Sequence, residues 1–113
     1  MMTNPYTYVL VRRDIPLEQQ MVQACHAALE AGFEFESPAI TSSLIVCTVP
    51  DRFALLEAEE RLARYSIRTK LFFEPDWGMG HSALASEPLF AKKQRYILAK
   101  YPLFVANNSA AGH

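Results

Sequence analysis

The chain has 113 residues, of which 50% are apolar and 20% are charged, and its formal net charge is −1. This length suits one domain with its own hydrophobic core, and the charge argues against a protein that coats nucleic acid by bulk charge. No apolar run approaches the roughly 20 residues that span a bilayer, and no secretory signal is visible. We therefore expect a cytoplasmic protein without a membrane partner.

Predicted strands and helices alternate along the chain. Residues 6–13 are rich in β-branched and aromatic side chains and predict the first strand. Pro16 suits the first position of a helix that continues from Leu17 to Gly32, a residue type that often follows a helix end. The later elements are predicted as an interior strand at 44–49, a helix at 51–65, strands at 67–73 and 81–86, and a last helix from Pro88.

Two connecting segments are less regular. Residues 33–43 form a connection that is compatible with a short helix, and residues 103–105 are predicted to add an edge strand or to pack on the domain. Alternating strands and helices with short connections predict an α/β protein whose helices cover both faces of a mixed sheet. Residues 1–106 are assigned to this single domain, and residues 107–113 are predicted to be a loose tail.

The first predicted helix has two distinct faces. Its apolar stripe consists of Leu17, Met21, Ala24, Cys25 and Ala28. Its polar face, with steps of four, three and four residues, consists of Gln19, Gln23, His26 and Glu30. Two glutamines and a histidine offer neutral donors and acceptors on one side, so this face is a candidate site wall. The alternative is a solvated or core-edge helix face.

The two cysteines do not predict a metal or nucleophile site. Cys25 and Cys47 lack the spacing of metal ligands, so neither zinc nor another cofactor is expected. Adjacent helical residues point about 100° apart, so Cys25 and His26 do not form a nucleophile–base pair with each other. We therefore exclude a cysteine hydrolase.

Basic residues cluster in two regions. Four of them share one segment without an intervening acid, namely Lys92, Lys93, Arg95 and Lys100, and Arg12 and Arg13 end the first strand. These are candidate phosphate contacts, although a solvated helix face explains them as well. The second cluster, at 61–70, is explained by i,i+4 pairing of Glu57 with Arg61 and of Glu60 with Arg64.

An acidic, turn-rich loop, Glu74-Pro75-Asp76-Trp77-Gly78, precedes the small-residue strand. Asp76 suits either a turn or a catalytic role, and Trp77 suits either a cap on the core or a platform on which a base stacks. Ser82 is either a small residue in a tight strand or a hydrogen-bond donor. Strand alternation places His81 on the face opposite to Ser82.

Two sequence stretches resemble the type 2 peptidyl-tRNA hydrolase family. Tyr8-Val-Leu-Val-Arg-Arg-Asp14 and Gln23-Ala-Cys-His-Ala-Ala28 are similar to that family's opening strand and its Gln-x-x-His-Ala-Ala helix. The Ala24-Cys25 version looks closest to the divergent branch called peptidyl-tRNA hydrolase domain-containing proteins. The order of the later elements is similar as well, over residues 6–105.

The resemblance implies a three-layer α/β/α domain with a mixed four-stranded sheet, often as a homodimer. It implies cleavage of the ester that joins a peptide to the 3′ end of tRNA. On this basis His26 and Gln23 fall on the motif residues, Glu74 or Asp76 falls near the family's loop aspartate, and Ser82 aligns with a threonine of the closing strand. The family's helix start carries a lysine held to be catalytic, whereas residues 17–20 here contain none.

Ester hydrolysis needs a base for water and donors for the oxyanion. The expected catalytic residues are His26 as the base, Asp76 or Glu74 as the orienting carboxylate, and Ser82 as a donor. The expected substrate contacts are Gln19, Gln23, Trp77, Arg13, Lys92, Lys93 and Arg95. The alternatives are a catalytically weak or inactive tRNA-binding module and a protein-interaction module that keeps the fold.

Overall fold

The computed structural model describes residues 4–105, which form a four-stranded mixed sheet with helices on both faces. The strands are β1 (Tyr6–Arg12), β2 (Ser43–Val49), β3 (Thr69–Glu74) and β4 (Gly80–Ser86). The α-helices are α1 (Leu17–Glu34), α2 (Arg52–Arg64) and α3 (Lys92–Leu98), and a 3-10 turn spans Asp76–Gly78. The predicted α/β class with its mixed sheet is confirmed. The predicted tail at 107–113 lies outside the described residues.

The sheet has the strand order β2-β1-β4-β3. β1 pairs in parallel with β2 and antiparallel with β4, and β3 pairs antiparallel with β4. Because only β1 and β2 are parallel neighbours, their carboxyl ends meet at the same edge of the sheet. The chain leaves β1 towards α1 and leaves β2 towards α2.

Alternation along β1 divides the interior into two cores on opposite faces of the sheet. Leu10 lies in the core that contains Leu55 and Leu62 of α2, whereas Val9 and Val11 lie in the core that contains the alanines of α1. The α1 side is built from small side chains, Ala27, Ala31, Ala83 and Ala85. Alanines let the helix backbone come close to the sheet, so a medium-length polar side chain on α1 reaches the neighbouring strands.

α1 departs from the sequence prediction in its end and in its buried face. It continues past Gly32 to Glu34, since Gly32 keeps a helical conformation there. The buried residues are Gln20, Gln23, Ala27 and Ala31, not the apolar stripe. Leu17 and Met21 of that stripe are 47% and 67% exposed. The large residues of the stripe face outward, whereas its alanines, Ala24 and Ala28, pack against the alanine surface of the sheet.

β2 is an edge strand, so the predicted interior position is wrong. Its continuous apolar character arises because both of its faces are packed, Cys47 in the α2 core and Val46 against the α1 core. The C-terminal segment also covers its outer edge. The amide of Phe104 donates to the Val46 carbonyl at 2.7 Å, and the amide of Thr48 donates to the Pro102 carbonyl at 2.9 Å. Leu103 forms an antiparallel bridge with Cys47, so the segment at 103–105 pairs only locally.

The two later helices differ in how well their beginnings were predicted. α2 begins after Asp51, whose carboxylate accepts a hydrogen bond from the Ala54 amide at 2.9 Å, as a helix N-cap does. α3 begins at Lys92, later than the predicted Pro88. The spacing of a helix from Pro88 would direct Phe90 to the core, whereas Phe90 precedes α3 and is 53% exposed. No helix forms between residues 35 and 42. None of the helices within residues 4–105 has the length and apolar character that crossing a bilayer requires.

Candidate functional site

A buried polar cluster joins α1 to β3 and β4. Its centre is the fully buried Gln23, whose Nε2 donates to Glu74 Oε1 at 2.8 Å. The Ser82 hydroxyl donates to Gln23 Oε1 at 2.5 Å, and Gln23 Nε2 also donates to Gln19 Oε1 at 3.3 Å. Both amide hydrogens of Gln23 are therefore used inside the cluster. The fold thus brings together four residues that the sequence singled out: Gln19, Gln23, Glu74 and Ser82.

A β-bulge aims Ser82 at α1. Phe72 of β3 pairs with Ala83, whereas the next residue, Phe73, pairs with His81, so β4 holds one extra residue at position 82. Ser82 bonds to Gln23 and Ala83 packs in the α1 core, so the two consecutive residues share one face. His81 packs edge-on against Phe73 instead. The extra residue is the reason that simple alternation does not describe this strand.

Glu74, at the end of β3, is held as a carboxylate. The hydrogen bond from Gln23 is the main cause that lowers the pKa of Glu74, and the Asp76 amide, which donates to Oε2 at 3.2 Å, lowers it further. Partial burial acts in the opposite direction, and the nearby His26 adds a smaller lowering of the pKa. At neutral pH a fixed negative charge therefore lies at the edge of the cluster, close to an imidazole.

His26 follows Gln23 by one helical turn and is half-buried. Its ring stacks on Phe72 with a centroid separation of 4.5 Å and an interplanar angle of 4°. Within the described residues, no hydrogen bond or ion pair joins His26 to Glu74. The same part of the chain contains no group of three His, Cys, Asp or Glu side chains that could hold a metal ion. The imidazole edge is therefore oriented by stacking beside the carboxylate.

The acidic loop presents its side chains to solvent. Asp76 begins the 3-10 turn and is exposed, and it touches the cluster through its backbone amide. Trp77 is 72% exposed and has a φ of +57°, a left-handed conformation that costs a residue with a side chain about 1–3 kcal/mol. The indole therefore does not cap the core, and the stacking role of Trp77 stays a prediction.

The predicted phosphate contacts lie away from this cluster. Lys92 and Lys93 are exposed at the start of α3, and Arg13 is exposed directly after β1. The Arg95 guanidinium lies 3.5 Å from the centre of the Tyr6 ring. α3 and Tyr6 pack with the α2 core, so these cations are on the face of the sheet opposite to the polar cluster.

Arg12, one of the candidate phosphate contacts, is bonded within the chain instead. Its guanidinium pairs with Asp14 at 2.9 Å and donates to the carbonyls of Met79 at 2.7 Å and His81 at 3.2 Å. The hydrogen bond from Arg12 lowers the pKa of Asp14. Arg12 thereby ties the acidic loop to β1. The sequence feature that indicates this role is the spacing of Arg12 and Asp14 at the end of the strand, which allows the two side chains to pair.

Comparison with known proteins identifies a similar fold but no protein of known function. No family model matches the sequence, and no curated protein matches it. A solved structure of a protein of unknown function, Atu0240 from Agrobacterium tumefaciens strain C58, superposes with a TM-score of 0.66 at 14% identity. The match covers 92% of this chain and 100% of that one. At this identity the likeness shows a shared fold alone.

Proposed function

We propose that the chain is a peptidyl-tRNA hydrolase-like protein that cleaves the ester between a peptide, or a blocked amino acid, and the 3′ end of a tRNA. One observation carries this proposal: Gln23 and His26, one helical turn apart on α1, contact Glu74 and Phe72 of β3, so that an oriented imidazole and a carboxylate with a lowered pKa share one face of the sheet. A base and an adjacent negative charge are what activation of water requires. The similarity of the Gln-x-x-His-Ala-Ala helix to the family's motif supplies the substrate class.

In this proposal His26 takes the proton from the attacking water, and the charge of Glu74 stabilises the imidazolium that results. Gln23 and Ser82 are positioning residues, because the Ser82 hydroxyl donates to Gln23 and the Gln23 amide donates to Glu74 and Gln19, so none of these hydrogens points outward. Gln19 accepts from Gln23 through Oε1, so its own N–H groups are the donors for the developing oxyanion.

The proposed partner is the acceptor end of a tRNA. The exposed Trp77 stacks on the terminal adenine, next to Asp76. Lys92, Lys93 and Arg95 contact phosphates further from the ester, since they lie on the other face of the sheet. Arg13, the remaining expected contact, lies apart from them, directly after β1. A cytoplasmic location belongs to the same proposal, because that is where translating ribosomes leave the substrate.

A second candidate function rests on a different observation. The polar cluster is closed, with Gln23 and Ser82 fully buried, and residues 17–20 provide no lysine. Loss of one oxyanion-stabilising donor costs about 10²–10³ in rate, and loss of a cation has a comparable electrostatic effect. The alternative is therefore a catalytically weak or inactive tRNA-binding module, or a protein-interaction module, that kept the fold.

A hydrolysis assay on N-blocked aminoacyl-tRNA separates these functions. We expect the wild-type protein to release the blocked amino acid and the His26→Ala variant to lose at least about 100-fold in rate, the size of a general-base contribution. The matched control is His81→Ala, because His81 packs against Phe73 on the opposite face of the sheet.

Each result has a definite meaning. Turnover that survives His26→Ala, or that His81→Ala reduces equally, contradicts the proposed site. Absence of turnover together with salt-sensitive tRNA binding supports the binding module. Absence of both turnover and tRNA binding at low salt leaves the interaction module.

We also propose a homodimer that forms through the outer stripe of α1, whose exposed apolar residues are Leu17, Met21, Val22, Cys25, Leu29 and Phe33. The stripe begins beside an apolar cavity of about 250 Å³ lined by Leu17, Met21, Val46 and Phe104. In an antiparallel, two-fold arrangement centred on Cys25, Phe33 of one copy faces the cavity of the other. An uncharged stripe meets its own copy without placing like charges together.

A further inference from the structure

A second concave site lies on the α2 side of the sheet, away from the polar cluster. It is a cavity of about 510 Å³ between the carboxyl ends of β1 and β2, the inner side of α2 and the segment that follows α3. Arg13, Val49, Arg61 and Tyr101 are among its lining residues. Its volume falls within the range of small-molecule sites, about 300–1,000 Å³.

The topology places this cavity where open α/β sheets bind their ligands. The chain leaves β1 to form α1 on one face of the sheet and leaves β2 to form α2 on the other. The two connections separate there and leave a crevice outside the carboxyl ends of adjacent parallel strands. The position of the cavity is therefore a consequence of the fold and is independent of its charges.

The lining is strongly positive. Four cations and one carboxylate line it, namely Arg13, Arg61, Arg64 and Lys100, with Glu57. Four positive charges less one negative charge leave three unbalanced positive charges, in a chain whose net charge is −1. The expected pairs of Glu57 with Arg61 and of Glu60 with Arg64 do not form, and none of the four cations makes an ion pair with another described residue.

Arg61 is held in a fixed orientation that leaves one side of its guanidinium free. Its Nη1 donates to the Ile97 carbonyl at 2.8 Å and to the Tyr101 hydroxyl at 3.2 Å. The guanidinium lies 5.5 Å from the centre of the Tyr65 ring and 5.6 Å from that of Tyr101. Both hydrogens of Nη1 are engaged, so Nε and Nη2 remain as a pair of parallel donors, the geometry that binds two oxygens of a phosphate.

We propose that this cavity binds the phosphate group of a small phosphorylated molecule of nucleotide size. A concave site of this volume suits a small phosphorylated molecule, and the Tyr101 ring beside Arg61 offers a flat apolar wall to the rest of the ligand. The site is separated from His26 and Glu74 by the sheet. The inference therefore does not rest on the proposed hydrolysis.

Calorimetric titration with pyrophosphate and with adenosine 5′-monophosphate tests the proposal. We expect saturable binding that Arg64→Gln weakens about tenfold, the effect of one lost charge-assisted hydrogen bond. Arg64 is exposed, so this change leaves the fold intact. The matched control is Arg52→Gln, which removes an exposed arginine of the same helix outside the cavity and is expected to leave both affinities unchanged.

Three outcomes overturn the proposal. One is the absence of binding of both probes, and another is an equal effect of Arg52→Gln and Arg64→Gln, which would show general attraction to a charged surface. The third is displacement of pyrophosphate by tRNA that binds more tightly than either probe, which would assign the cavity to RNA. Saturable binding of both probes that Arg64→Gln weakens and that tRNA does not displace supports the proposal.

Discussion

At Ser82 a single hydroxyl completes the hydrogen bonding of the buried Gln23 amide. Ser82→Ala leaves Gln23 Oε1 fully buried without that donor, and an unsatisfied buried acceptor costs about 1–3 kcal/mol. We expect the free energy of unfolding, measured by urea denaturation, to fall by this amount. The matched control is Ser42→Ala, since the Ser42 hydroxyl is also buried but has no partner within residues 4–105. Equal losses in both variants would contradict the role assigned to the Ser82 hydrogen bond.

The carboxylate of Glu74 links stability to pH. Its pKa is lower in the folded chain than its ordinary value of 4.5, so the ionised group stabilises the fold above that pH. This contribution is lost as the pH falls from about 4.5 through the lower, folded-state pKa. We expect the difference in unfolding free energy between wild type and Glu74→Gln to shrink over this window, in urea denaturation at a series of pH values.

The control for this pH series is Glu60→Gln, which removes one carboxylate from the exposed side of α2. An identical change of pH dependence in the two variants would assign the effect to overall charge. Only a change confined to Glu74→Gln agrees with the hydrogen bonds from Gln23 and the Asp76 amide.

Residue-level features of the cluster were partly predictable. Helical spacing places Gln23 and His26 on one side of α1, and both contact β3 from there. The hydrogen bond from Ser82 was not predictable, because it depends on the extra residue between the pairings of Phe72 and Phe73. A β-bulge has no signature in strand alternation, so a small polar residue in β4 gave no indication of its direction.

At the scale of elements, Gly32 offers a clean test of how α1 is stabilised. It lies inside the helix, is exposed, and a Cβ added to it would meet no atom within 4 Å. Alanine restricts the unfolded chain and favours the helix, so Gly32→Ala should raise the unfolding free energy by about 0.5–1 kcal/mol. Urea denaturation measures the change.

Gly80→Ala is the matched control for the glycine substitution. Gly80 has a φ of +73°, and a Cβ there would lie 3.5 Å from the Arg52 guanidinium. This change should lower the unfolding free energy by about 1 kcal/mol or more, because alanine is strained at positive φ. Two changes of the same sign would contradict the helical assignment of Gly32.

The sequence predicted which segments are helices and which are strands. It did not predict that β2 lies at the edge of the sheet or which face of α1 is buried. On α2 the spacing of Leu55, Ala58, Leu62 and Tyr65 predicts one apolar stripe, of which the first three residues are buried and Tyr65 is 52% exposed. For α1 the same reasoning favoured the apolar stripe, whose larger residues the structure leaves exposed. The difference arises because periodicity identifies an amphipathic helix but carries no information about the side chains of the sheet beneath it.

At the scale of the molecule, the sheet separates two kinds of chemistry. The face covered by α1 carries the negative cluster around Glu74, and the face covered by α2 carries the positive cavity around Arg61. The net charge of −1 is therefore the sum of regions that have opposite charges on the two faces of the sheet. Composition alone could not predict this separation. It arises because the chain after β1 forms a helix on one face of the sheet, whereas the chain after β2 forms a helix on the other face.

The proposed homodimer makes the last prediction, because the two-fold arrangement of α1 brings Cys25 of the two copies together. Cys25 is exposed and Cys47 is buried, so diamide should link Cys25 to its copy and give a species of about twice the 12.8 kDa chain mass. Light scattering should show the same mass without oxidant.

Met21→Glu places an unpaired charge in the contact and should yield monomers, whereas Phe53→Glu, at a 74% exposed position on α2, should not. A wild-type monomer at all concentrations, or equal effects of the two glutamates, would contradict the arrangement.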